Sequence, residues 1–126
     1  MSKQVIVWID HKQARLFDLH LDAIEPLTVT APHGMHHRHP KGPEGSKEHP
    51  NDTKLFFEEV ARALGDAGQI LVVGPSSARL EFGSYLRQHA HAIEARIVGS
   101  ETVDHPSDGQ LVAYAKKHFH MSDRGA

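Results

Sequence analysis

Gln4–Asp10, QVIVWID, is a nearly continuous apolar run rich in β-branched residues. Successive side chains of a strand point to opposite faces, so a run of this kind predicts a strand covered on both faces. The stretches that follow are less thoroughly apolar. Ala14–Leu21 alternates through Ala14, Leu16 and Leu19, and Ile24–Thr30 carries Ile24, Leu27 and Val29. With His11–Gln13 and Asp22–Ala23 as connections, three sequential strands predict an antiparallel meander.

Downstream the period changes. Phe56, Val60, Ala63, Leu64 and Ala67 fall at i, i+4, i+7, i+8 and i+11, a helical stripe that Asn51 or Asp52 can cap. Gly65 and Gly68 mark its end, and Gln69–Val73, QILVV, predicts a short buried strand running into Gly74-Pro75-Ser76-Ser77. A second helix carries Ala78, Phe82, Tyr85, Leu86 and His89 on one side. Ile93–Val98 alternates through Ile93, Ala95 and Ile97 and predicts a fifth strand, which can continue past Gly99 to Val103. Ser107 and Gln110 have the spacing of a reciprocal capping box for a last helix, whose apolar side is Leu111, Ala115, His118 and Phe119. Lys116, Lys117 and His118 suit the negative end of its dipole.

The resulting order, β-β-β-α-β-α-β-α, predicts an α/β fold with a five-stranded mixed sheet, its fourth and fifth strands parallel to the first. That is a ribonuclease-H-like arrangement. No internal repeat is present, and residues 1–126 read as a single domain, a length that buries roughly 65–70% of the unfolded surface.

Composition narrows the function. Without cysteine there is no disulfide framework, thiolate zinc site or cysteine nucleophile, and the opening MSKQVIVWID has no signal-peptide run. No apolar stretch reaches the ~20 residues of a membrane helix, so a cytoplasmic protein without a membrane partner is expected. Fourteen Lys and Arg against sixteen Asp and Glu leave no overall basic field, so contact with nucleic acid would have to be local. Twelve histidines make the surface more basic on mild acidification.

The candidate functional segment is the break in the pattern at Ala31–Pro50, APHGMHHRHPKGPEGSKEHP, within a long loop at residues 31–51. Met35 is its one large apolar residue, and five of the twelve histidines collect there. Long loops in compact domains are often functional. His33, His36, His37 and His39, with His49 further on, supply enough imidazoles for zinc, nickel or copper, although no Cys or carboxylate pair fixes a geometry. Arg38, Lys41 and Lys47, with the same histidines, equally suit an arm that orders on RNA phosphates. Glu44 and Glu48 dilute that charge, and no aromatic ring is present to stack on bases. A solvated loop with neither role is the third reading.

Other motifs have plainer alternatives. Ser76 and Ser77 stand where a strand passes into a helix and can hold an anion, but an ordinary cap with Pro75 in the first turn explains them equally. Asp10-His11 and Asp104-His105, at strand ends, suggest a two-metal nuclease with Glu58 or Glu59. Turn-forming aspartates are the simpler reading. No serine lies in Gly-x-Ser-x-Gly, and Trp8, between Val7 and Ile9, reads as core.

The order of elements, VWIDHKQARLF, ILVVGPSSARLEFGSYL and VGSETVDHPSDGQLVAYAKKHF together resemble the ribonuclease-H-like translational machinery components group. That group includes the middle domain of eukaryotic and archaeal peptide-chain release factors, their ribosome-rescue relatives and bacterial release-factor-like proteins. In the release factors, the loop between the third strand and first helix carries a Gly-Gly-Gln motif that positions water for ester hydrolysis. Here the matching loop, Pro32–Asn51, has no such motif; Gly34, Gly42 and Gly45 stand apart, and Gln69 lies beyond the helix. The resemblance therefore implies a non-enzymatic protein that needs no cofactor and associates with the ribosome or structured RNA. Its contacts would be His33, His36, His37, Arg38, His39, Lys41 and Lys47. The alternatives are a zinc- or nickel-binding protein using His33, His36, His37 and His39, and a metal-dependent nuclease or hydrolase.

Overall fold

The two-faced strand is β1, Lys3–Ile9, third of five in a mixed sheet of order β3-β2-β1-β4-β5. The structure is a computed structural model that describes residues 3–20, 26–31, 50–65 and 67–119, with the side chains of 50–52 left aside. Val5, Val7 and Ile9 point into one buried cluster, and Ile6 and Trp8 into another. This two-sided burial explains why the run shows no polar alternation.

β2, Gln13–Asp18, pairs antiparallel with β1, and β3, Leu27–Thr30, pairs antiparallel with β2. β4, Ala67–Gly74, lies parallel to β1 on its other side, and β5, Ile97–Thr102, parallel to β4. The expected meander and parallel strands are both present. Helix α1, Pro50–Leu64, packs Phe56, Phe57, Val60 and Leu64 on one face of the sheet, joined by Phe82 and Leu86 of α2, Ala78–His89. The opposite face is covered by α4, Asp108–His118, through Leu111 and Ala115.

Several boundaries differ from the sequence reading. Ile93 belongs to a short helix, α3, His91–Glu94, and β5 starts four residues later, so the order among the described residues is β-β-β-α-β-α-α-β-α. Positions four apart share a face in helix and strand alike, so Ile93 and Ile97 fit either period; the Ile93 and Glu94 amides donate to the Ala90 carbonyl and settle it as helix. Ala67 opens β4 instead of ending the α1 stripe, because Gly65 closes the helix by donating to Ala61 and Arg62 carbonyls. Asn51 and Asp52 lie inside α1, whose first residue is Pro50, where a missing amide costs nothing. β2 stops at Asp18, short of Leu21, and β3 begins at Leu27; Ile24 lies outside the described residues. The capping box is as expected: Gln110 N–H donates to Ser107 Oγ at 3.2 Å, and Ser107 N–H to Gln110 Oε1 at 2.9 Å.

Two glycines separate close approach from open space. A Cβ on Gly74 would lie 2.2 Å from the Ile9 carbonyl oxygen, whereas one on Gly83, within α2, would meet nothing within 4 Å. Gly74→Ala should cost about 1–3 kcal/mol as β1 and β4 are forced apart. Gly83→Ala should gain about 0.5–1 kcal/mol from the lower entropy of the unfolded chain and better helix propensity. Denaturant unfolding of both variants checks the pair, and a neutral Gly74→Ala would contradict the contact.

Between α1 and α2 the rings of Phe57 and Phe82 lie 5.4 Å apart, and those of Phe57 and Tyr85 5.7 Å. Burial, reinforced by the nearby Glu58 carboxylate and opposed by Arg62, raises the Tyr85 phenol above its ordinary value. The folded state then holds this proton longer than the unfolded state. Its contribution is intact below about pH 10 and declines as pH rises through the raised folded value. Between pH 9 and pH 11, Tyr85→Phe should lose less thermal stability than the wild type; equal losses would remove the effect.

Candidate functional site

β1, β4 and β5 run parallel, and the antiparallel register of β2 and β3 brings Thr30 to the same edge as Ile9 and Gly74. This carboxyl edge is where open α/β sheets commonly bind ligands. The Ala31 amide donates to the Lys12 carbonyl at 2.8 Å, fixing the chain as it leaves β3 toward the His-rich segment. His33, His36, His37, Arg38, His39, Lys41 and Lys47 lie outside the described residues, and so does any metal or RNA site they form. Among the described residues, no group of three or more His, Asp or Glu has the arrangement of a metal site.

The paired aspartates have separate local roles. Asp10 Oδ1 accepts the amides of Lys12 and Gln13 at 2.8 and 2.9 Å, the expected turn-forming use. His11 reaches across to Glu81 at 3.2 Å, and Ser77 Oγ donates to the other oxygen of that carboxylate at 3.0 Å. Ser76 Oγ accepts the Ala78 amide at 3.3 Å. The Ser76–Ser77 turn thus already holds a carboxylate at the start of α2, as the helix dipole favours. Glu58 pairs with Arg62 one turn on, at 3.2 Å.

On the other side of the edge, Trp8 is core as expected, at 1% exposure, but its indole also has a polar task. Nε1–H donates to the Asp104 carbonyl at 2.8 Å. Arg15, opposite Trp8 in the β1–β2 register, lays its guanidinium 4.6 Å from the indole centroid, and the His105 ring lies 5.2 Å from the same indole. Arg15 also donates to Asp108 Oδ1 at 2.6 Å and to the Pro106 carbonyl at 3.3 Å. Together these contacts pin the 103–107 connection and the start of α4 to the sheet. Asp104 itself points outward, 3.0 Å from His105 Nδ1.

Beside this latch lies a pocket of about 380 Å³ between the connection and α4. Its apolar surface comes from Val103, Pro106, Leu111 and Tyr114, and Asp104 and His105 also line it. The sequence reading identified neither the pocket nor Arg15. The available signal was Trp8 itself: a buried strand face cannot stop abruptly at its hairpin neighbour, so the polar position opposite it needs a partner.

With this geometry in hand, comparison with solved structures is informative. The chain aligns over 97% of its length with Thermoplasma acidophilum Pelota, at TM-score 0.65 and 20% identity, covering 35% of that protein. Archaeoglobus fulgidus Pelota aligns over 98%, at TM-score 0.54 and 19% identity, covering 28% of that chain. An archaeal translation termination factor, aRF1, aligns over 98%, at TM-score 0.61 and 17% identity, covering 36% of that chain. The chain thus has the fold of a portion about a third the length of these proteins, as the release-factor resemblance implied. No protein-family model and no curated relative matches the sequence.

The latch is open to test. Arg15→Ala removes a stacked cation and two hydrogen bonds and should cost about 2–3 kcal/mol, whereas Asp108→Asn, whose partner keeps its other contacts, should cost under about 1 kcal/mol. Trp8 is the sole tryptophan, so its fluorescence reports the site during unfolding. Equal costs for the two variants would place the energy in the ion pair instead of the stack.

Proposed function

We propose that the protein is a non-enzymatic, translation-related factor that associates with the ribosome or structured RNA in the cytoplasm and acts as a single ribonuclease-H-like domain. The observation that carries this reading is the fold match over nearly the whole chain to a translation termination factor and to two Pelota proteins. The positions of the described residues that flank the His-rich segment support it. Thr30 ends at the carboxyl edge, while Ala67 begins β4 at the opposite edge beside Lys3. The 15 residues of α1 span about 22 Å, close to the length of β1, so the helix that leads into β4 starts near the edge from which β3 departs. Between these two points the sequence carries Arg38, Lys41, Lys47 and five histidines.

In sequence the segment stands between the third strand and the helix at Pro50–Leu64, as the release-factor loop does, and it has no Gly-Gly-Gln, so occupancy of a ribosomal site, in the manner of the rescue relatives, fits it better than ester hydrolysis. Phosphate contact by a few cations makes the association salt-dependent. Among the described residues no helix is long and apolar enough to cross a membrane.

Sedimentation with ribosomes at low salt tests the reading. Full-length protein should pellet with ribosomes and be released as salt rises, and a variant lacking residues 32–49 should pellet several-fold less. Equal pelleting of the two would remove the segment's role, and absence of both from the pellet would remove the ribosome as partner. Addition of zinc or nickel after chelator treatment should leave the wild-type result unchanged.

A further inference from the structure

Two arginines of α2 differ from the other described arginines in having neither an acid nor a backbone carbonyl as partner. Arg15 is paired with Asp108, Arg62 with Glu58, and Arg96 donates to the carbonyls of Gly65 and Ala67. Arg79 instead donates to two hydroxyls of β5, Ser100 Oγ at 2.8 Å and Thr102 Oγ1 at 2.6 Å. Its Nε is buried without an acceptor, so the guanidinium is partly desolvated and its charge is not neutralised. Arg87, further along α2, is exposed, and its side chain has no partner among the described residues. The neighbouring acids are spent elsewhere. Glu81 holds His11 and Ser77, Glu101 accepts from Tyr114 on the opposite face of the sheet, and among the described residues Glu94 of α3 pairs with neither arginine.

The helical period puts the two charges in one strip. Arg79, Gly83 and Arg87 recur at i, i+4 and i+8, so the arginine Cα atoms stand about 12 Å apart along the axis with a glycine between them. A Cβ on Gly83 would meet nothing within 4 Å, which leaves the surface between the arginines open to close approach. Ser100 and Thr102 accept from Arg79 and keep their own O–H donors, so the β5 side of the strip also offers donors. Such a surface selects anions. Arginine together with serine and threonine hydroxyls is a common set of phosphate contacts, and every nucleotide of a strand supplies a phosphate, whereas a peptide needs acids at one particular spacing. Leu80, exposed beside the strip, offers apolar surface to a ribose. We infer that the α2 strip and the β5 hydroxyls bind the sugar-phosphate backbone of an RNA strand, with Arg79 and Arg87 on separate phosphates. None of these residues has an aromatic ring, so bases are not stacked and the contact is independent of sequence. This contact rests on the association with structured RNA proposed above, but it is made by the folded core and not by residues 32–49.

The test is fluorescence anisotropy of the full chain with a fluorescein-labelled RNA hairpin, a second hairpin of shuffled stem sequence and a labelled polyglutamate peptide, over a range of salt. The two hairpins should bind equally, and polyglutamate several-fold more weakly. Arg79→Gln and Arg87→Gln should each weaken hairpin binding about threefold to tenfold and reduce the slope of log affinity against log salt by about one. Arg62→Gln, an equal charge change on α1, should leave both quantities unchanged. Gly83→Glu has room for its side chain and sets a carboxylate one turn from each arginine, so it should weaken binding more than either single substitution. Gly83→Ala adds no charge and should bind nearly as well as the wild type, which separates charge from any effect on folding. Hairpin binding that Arg79→Gln and Arg87→Gln both leave intact would overturn this contact while the RNA association stands. Equal losses for Arg62→Gln would also overturn it, as would tighter binding of polyglutamate, which would make the occupant an acidic peptide. No hairpin binding by the wild type removes the contact as well, and ribosome pelleting then decides the association separately.

Discussion

The structure depends on the burial of β1 from all four sides. Its backbone is paired by β2 and β4, and its side chains divide between two apolar layers. Neither layer is optional. Exposure of either face would leave large apolar side chains in water, each worth about 1.5–3 kcal/mol when buried. The pairing with β4 is itself tight: at its last residues the Ile9 carbonyl and Gly74 approach so closely that only glycine fits. The short α4 must then cover Ile6, Trp8, Leu71 and Val73, and the latch around Trp8 holds it there.

Legibility in the sequence follows the same logic. Elements whose pattern has a single physical explanation were readable: the two-faced strand, the QILVV strand and the Ser107–Gln110 box. Misreadings occurred where one pattern serves two periods. Ile93 and Ile97 share a face at a separation of four in helix and strand alike, and only the Ala90 carbonyl with its two donors distinguishes them. Arg15 was hidden for another reason. Between Ala14 and Leu16 it looks like an ordinary solvent-facing position, and its role arises from a connection more than ninety residues further on. Long-range contacts of this kind leave no local trace. The His-rich segment was conspicuous for the converse reason: it lacks any apolar period.

The carboxyl edge is crowded with local contacts. At one end β3 finishes at Thr30, and at the other the connection beyond β5 brings Asp104 and His105 to the apolar pocket beside α4. In between, Glu81 is held by His11 and Ser77, and Arg79 donates to Ser100 at 2.8 Å and Thr102 at 2.6 Å. These contacts tie the start of α2 to the β1–β2 turn on one side and to β5 on the other.

The two chain ends that flank residues 32–49 are held by contacts that make no use of that segment. On the β3 side these are the Ala31–Lys12 hydrogen bond and the β2–β3 register, and on the α1 side the packing of Phe56 and Phe57. The scaffold is thus set by residues outside the segment, so its composition is free of the demands of core packing and sheet register.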